Sequence, residues 1–163
     1  MSSADSQFRV LFVCTGNTCR SAMASGALRK VLGPEGERVV VESAGTAAWD
    51  GQPATELSQE VAERAEVSLA EHRSRRVTPA MLRGADLVLV MERLHLAAVR
   101  ALGADASRTH VLSEWPEPGE PALVISDPFG GSLEAYEECW RRIAHHIARV
   151  APHIREASRA RSA

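Results

Sequence analysis

The sequence predicts an α/β fold built as a doubly wound parallel sheet with helices on both faces. Two observations carry this. Short β-branched or aromatic runs recur along the chain, and segments with helical periodicity fill the intervals between them. The first strand is Val10, Leu11, Phe12 and Val13, with Cys14 as its last residue. From Arg20 onward Ala24, Ala27, Leu28, Val31 and Leu32 fall at three- and four-residue spacing, which predicts a helix. Residues 38–42, with three consecutive valines, read as the second strand, residues 86–91 as the third and residues 109–112 as a weaker fourth. Helices are expected over 54–65, 79–83 and 94–102. Leu133, Tyr136, Trp140, Ile143, Ile147, Val150 and Ile154 then form the apolar stripe of a long final helix, which reads as core packing without chemistry. Pro152 is expected to kink or loosen its last turns, and residues 155–163 to fray. The first seven residues look disordered, and 116–121 form a Pro/Gly/Glu loop. One domain over residues 8–154 is the expected organisation, without internal repeats.

Composition sets bounds on function. With 163 residues, 45% hydrophobic and 25% charged, the chain can build one proper core and has the balance of an ordinary soluble domain. A formal net charge of −2 gives no general attraction to nucleic acid or anionic membrane. No apolar run reaches the length of a spanning helix or a signal peptide, so a cytoplasmic location is expected. Three cysteines, an odd number, argue against a disulfide framework and suit a reducing compartment. The six histidines lack ligand spacing and read as surface or satisfied residues, so neither a metal nor another cofactor is expected. A monomer is the plain expectation for assembly.

The chemistry concentrates between Cys14 and Ser21, where VCTGNTCRS joins a strand to a helix N-terminus. Helix N-termini expose unpaired N–H groups and the positive end of the macrodipole, so such a loop meets a dianion with several donors at once. Thr15, Gly16, Asn17, Thr18, Cys19 and Ser21 are therefore candidate substrate-binding residues, Gly16 letting the backbone curl and Asn17 holding its shape. Arg20 adds a bidentate fork for phosphoryl oxygens that lysine does not reproduce. The same field is expected to lower the Cys14 thiol pKa; a shift from ~8.5 to ~5.5 requires about 4 kcal/mol of preferential thiolate stabilisation. Ser21 is placed to hydrogen-bond the departing sulfur. A Cys and an Arg six residues apart also arise by accident, and a cysteine ending a buried strand is usually inert. The glycine, Asn17, Ser21 and the strand-to-helix setting favour catalysis. The loop lacks the Gly-Lys-Ser/Thr ending of a Walker motif and the three glycines of a dinucleotide fingerprint.

VCTGNTCRS followed by Met23 and Ala24 resembles the signature of the low-molecular-weight protein phosphatases, whose Cys-x5-Arg-Ser loop carries the nucleophile. Glu42 to Thr46 is similar to the segment after that family's second strand, and Asp127-Pro128-Phe129 to the element carrying its general acid. Together the matches cover about residues 8–154. The resemblance implies four parallel strands, Cys14, Arg20 and Asp127 as catalytic residues, a phosphocysteine intermediate and phosphorylated proteins as partners. Ala22 stands where the family usually has proline, which should soften the helix start and leave the chemistry intact.

Asp127 lies in SDPFGG, which on its own reads first as a turn. A general acid opposite the attacking sulfur is worth ~10²- to 10⁴-fold, and Asp127 is the best-placed carboxylate for that task. Cys19 is either a structural small residue or, as in family members with such a pair, a redox partner of Cys14. Cys139 reads as buried and inert. The segment HRSRR, from His72 to Arg76, is either a solvated basic face or an attractor of phosphorylated substrate. Tyrosine-directed family members usually carry a bulky aliphatic residue at Thr18, whereas the phosphoarginine branch has threonine. A hydroxyl suits a flat guanidino group rich in N–H donors, and Phe129, in place of the tyrosine-directed branch's tyrosine, can stack on it. Trp49 either adds a wall or plugs the core. These residues imply a protein-arginine phosphatase, with a tyrosine phosphatase as the alternative. An arsenate reductase would need resolving cysteines near the third strand, and residues 77–115 contain none. A noncatalytic phosphate-binding module would bind without turnover.

Overall fold

The computed structural model describes residues 7–118 and 124–162. The expected disorder of residues 1–6 and part of the loop over 116–121 lie outside them. Gln7, counted with the leading segment, donates to Glu37 O at 3.0 Å. The elements are β1 (Phe8–Cys14), α1 (Arg20–Leu32), β2 (Val39–Gly45), α2 (Glu56–Arg64), α3 (Pro79–Gly84), β3 (Leu87–Val90), α4 (Arg93–Ala101), β4 (Thr109–Val111) and α5 (Leu133–Ser162). The strands form one parallel sheet in the order β2-β1-β3-β4. Among the described residues no helix is long and apolar enough to cross a membrane.

β1 is central, and its side chains alternate between two cores. Val10 and Phe12 pack with α1, α2 and α5, while Leu11 and Val13 pack with Leu82, Val88, Val90, Val99 and Val111 on the other face. This alternation explains why Val10–Cys14 reads as an unbroken apolar run: both faces are covered. Register places Cys14 beside Gly45 and Val13 beside Val90. The order also fixes the site. The chain runs from β1 out to β2, then crosses β1 to β3, so the winding reverses between β1 and β3, and a crevice opens at their carboxyl ends.

α5 departs from expectation at its end. Pro152 sits inside it, and the helix continues to Ser162. An interior proline costs about 3 kcal/mol, but Ile154 beyond it is fully buried, worth ~1.5–3 kcal/mol. Arg155 donates to Val31 O at 2.6 Å and Arg161 pairs with Asp86 at 2.6 Å. Packing on α1 and the sheet therefore holds the last turns that helix propensity alone would release.

Candidate active site

The loop between β1 and α1 is shaped by where its carbonyls go. Cys14 O accepts from Thr46 N–H, Thr15 O from Ala47 N–H, Asn17 O from His72 Nε2 and Thr18 O from Thr55 N–H, at 2.6–3.1 Å. In a planar trans peptide the N–H of the next residue points opposite the carbonyl. Tying these oxygens outward turns the N–H groups of Gly16, Thr18 and Cys19 toward the opposite side. That side is a cavity of about 200 Å³ lined by Cys14, Thr15, Gly16, Thr18, Cys19, Arg20, Asp127 and Phe129. Amides at the start of α1 thus surround the sulfur, as an anion site requires.

Asn17 takes the left-handed conformation, with φ of 58°. Gly16 does not, and a Cβ there would meet only Thr18 Oγ1 at 3.7 Å. The curl expected of the glycine therefore belongs to the asparagine, one of the few side chains that tolerate it. Fully buried Asn17 donates through Nδ2 to Ser21 Oγ at 2.8 Å and Ser43 Oγ at 2.9 Å, and its Oδ1 accepts from Arg75 N–H at 3.0 Å. The glycine that close approach does require is Gly45, where a Cβ would stand 2.4 Å from Thr15 O.

Ser21 Oγ lies 2.9 Å from Cys14 Sγ, and Asn17 N–H points at the same sulfur from 3.3 Å. Burial pushes the Cys14 thiol above its ordinary value, while the Ser21 hydroxyl and amide, the Arg20 charge and the Asn17 amide pull it down. The sequence expectation of a lowered pKa is thus corrected: desolvation at a residue 3% exposed outweighs those donors.

Arg20 is 1% exposed, its guanidinium held by Glu92 Oε2 at 2.6 Å and Ile125 O at 3.1 Å, with Asp127 Oδ2 at 3.7 Å. Asp127 Oδ1 accepts Phe129 N–H at 3.0 Å, so this residue forms the turn its sequence signals and also faces the cavity. Phe129 is 71% exposed at the cavity wall.

Sequence reasoning missed three participants. Glu92 follows the carboxyl end of β3, the strand beside β1, so the strand order would have flagged it. Fully buried His95 accepts Glu92 N–H at Nδ1, 3.0 Å away, and so carries its proton on Nε2, 2.8 Å from Thr15 Oγ1. Burial and then Arg20 depress its pKa to about 4, which keeps it neutral. Tyr136, on a helix read as packing alone, places its hydroxyl 3.4 Å from Cys19 Sγ and 3.4 Å from Thr55 Oγ1. Burial and the Cys19 contact push that phenol up to about 12. Cys139 is buried on α5, its thiol pushed to about 12 by desolvation.

One of the two readings of Trp49 is corrected. Trp49 is 82% exposed and is not among the residues lining the cavity, so it does not plug the core. It lies in the 46–55 segment whose ends bond Cys14 O and Thr18 O. Within HRSRR, Arg73 and Arg76 are exposed, whereas His72 and Arg75 buttress Asn17 from behind, and Arg75 pairs with Glu42 at 2.6 Å.

Residues 9–160 match the family model for low molecular weight phosphotyrosine protein phosphatases. The low molecular weight protein-tyrosine-phosphatase Etp of Escherichia coli K12 is 37% identical over 132 residues, covering 80% of this chain and 84% of that protein. The protein-arginine-phosphatase of Bacillus subtilis is 32% identical over 148 residues, covering 90% and 97%. A solved structure of the YwlE arginine phosphatase, in which a serine replaces the active-site cysteine and is phosphorylated, superimposes with a TM-score of 0.83 at 30% identity, covering 93% of this chain and 99% of that one. Four parallel strands in one domain, a Cys-x5-Arg loop at their carboxyl ends and a match along nearly the whole chain have one reading: the protein belongs to the low molecular weight phosphatase family, which holds both tyrosine and arginine phosphatases among its relatives.

Proposed function

We propose that the protein hydrolyses phosphoarginine in proteins through a phosphocysteine intermediate. The observation that carries this reading is Thr18, a small hydroxyl residue on the wall of the cavity that Cys14 and Arg20 also line, with the exposed ring of Phe129 on the same wall. A hydroxyl can accept from guanidino N–H groups, and an exposed ring can stack on their plane. In the first step the Cys14 thiol passes its proton to the entering phosphoryl dianion, the resulting thiolate attacks phosphorus, the P–N bond breaks, and Asp127 gives its proton to the leaving guanidine. In the second, Asp127 takes a proton from water, the water oxygen attacks phosphorus, and the S–P bond breaks to regenerate the thiolate. Loop amides and Arg20 hold the equatorial oxygens throughout. The phosphorylated serine in the superimposable arginine phosphatase supports a covalent adduct at this position.

The tyrosine phosphatase reading is favoured by the 37% identity to Etp. Side-by-side turnover of phosphoarginine and phosphotyrosine peptides decides between them, and Thr18→Ile tests the determinant. The proposal expects loss of phosphoarginine turnover with phosphotyrosine activity kept or raised. Equal loss of both removes Thr18 from specificity.

A further inference from the structure

Behind the catalytic loop, on the side opposite the sulfur, lies a second cavity of about 350 Å³. Its polar walls include Arg29 from α1, Glu42 and Ser43 from β2, and His72, Arg73 and Arg75 from the segment before α3. Its charges are unevenly compensated. Glu42 is shared by Arg9 and Arg75, each at 2.6 Å, and is spent on them. Arg29 donates to Val41 O at 2.6 Å, and Arg73 to Ala70 O and His72 O at 3.3 and 2.7 Å. Among the described residues neither guanidinium has a carboxylate within ion-pair distance. Glu71, the remaining acid on the wall, is exposed at the rim. Two guanidiniums satisfied only by carbonyls, facing one concavity beside a third, make the donor set that planar forks offer to tetrahedral oxyanions.

We propose that this rear cavity is a second anion site, which takes a phosphate-class dianion, free or as a small monoester, between Arg29 and Arg73. Its place gives it a line to the nucleophile. His72 donates to Asn17 O at 2.6 Å, Ser43 accepts from Asn17 Nδ2, and Asn17 N–H bonds Cys14 Sγ. Burial and the charges of Arg29, Arg73 and Arg75 hold the His72 imidazole below its ordinary pKa. An anion here offsets those charges, favours the imidazolium and stiffens the bond to Asn17. Product phosphate would then act on the loop from both sides.

The experiment is a backbone-amide NMR titration of the reduced full chain with inorganic phosphate, repeated on Arg29→Gln/Arg73→Gln. A second arm uses phosphoserine on Cys14→Ser protein, which cannot turn the ester over, and identifies free phosphate or monoester as the better ligand. The expected result is two midpoints, one for residues 15–20 and another for residues 68–75. The double variant should weaken the second at least tenfold, leave the first within about twofold and keep turnover of a chromogenic ester at low phosphate. If residues 68–75 follow the loop midpoint in both proteins, or respond to neither ligand, the site does not exist. That failure leaves the phosphoarginine reading untouched, because turnover specificity is measured separately.

Discussion

Glu92 Oε2 stands 2.6 Å from the guanidinium of Arg20, on a side chain that is 29% exposed while its partner is 2% exposed. Arg20 is thereby aimed before any substrate arrives, and its charge is balanced in a site where an unpaired guanidinium is costly. Glu92→Gln keeps the shape and removes the charge. Losing a charge-assisted hydrogen bond worth ~1.5–3 kcal/mol predicts a fall in kcat/KM of about 10- to 100-fold. Steady-state kinetics on a chromogenic phosphate ester measure it, and an unchanged kcat/KM means that Asp127 and Ile125 O suffice to aim the arginine.

Ser21→Ala removes the hydroxyl 2.9 Å from Cys14 Sγ, the strongest of the groups that oppose desolvation of the thiolate. The Cys14 pKa should move further up. Alkylation by iodoacetamide, followed as rate against pH by mass spectrometry, should reach half its plateau at higher pH than in the parent. Turnover at pH 7 should fall about 10-fold or more, since thiolate both attacks and leaves.

His95 makes the fold sensitive to mild acid. Its pKa of about 4 lies below the ordinary value of 6.5, so between these limits the unfolded chain binds a proton that the folded chain does not. Stability is fully present above pH 6.5 and declines as pH falls toward 4, by on the order of 3 kcal/mol for this residue. His72, lowered mainly by burial, adds in the same direction. Urea midpoints at pH 7 and pH 5 give the slope. His95→Asn should flatten it, and an identical slope in that variant would assign the loss to other groups.

The parallel sheet was legible because β3 and the Val10–Cys14 part of β1 are short, wholly apolar and separated by helical periodicity, a pattern that burial on both faces imposes. The sulfur, the arginine and the aspartate were legible because one loop and one turn carry them in local motifs. Glu92, His95 and Tyr136 were not, since each meets the loop across at least 72 residues of chain, and only strand order and helix docking bring them there. The left-handed residue was misplaced for a related reason. Glycine is the commoner occupant of that conformation, but here two side-chain hydrogen bonds to distant segments, with Ser43 and with Arg75 N–H, select Asn17. The C-terminal turns show the same limit: Pro152 is a local signal, and the packing that overrides it is not.

Asn17 offers a test that separates backbone conformation from bonding. Asn17→Gly accepts a φ of 58° without strain but deletes the side-chain bonds to Ser21, Ser43 and Arg75 N–H. Asn17→Ala deletes the same bonds and adds the ~1 kcal/mol cost of a left-handed alanine. If the side chain is what holds the loop, both variants should lose turnover by about 10-fold or more, with alanine the less stable of the two by roughly 1 kcal/mol in urea. If conformation alone matters, glycine should turn over like the parent and alanine should not. Near-parent activity in the glycine variant would assign Asn17 to the turn and leave Ser21 to be positioned by Cys14 alone.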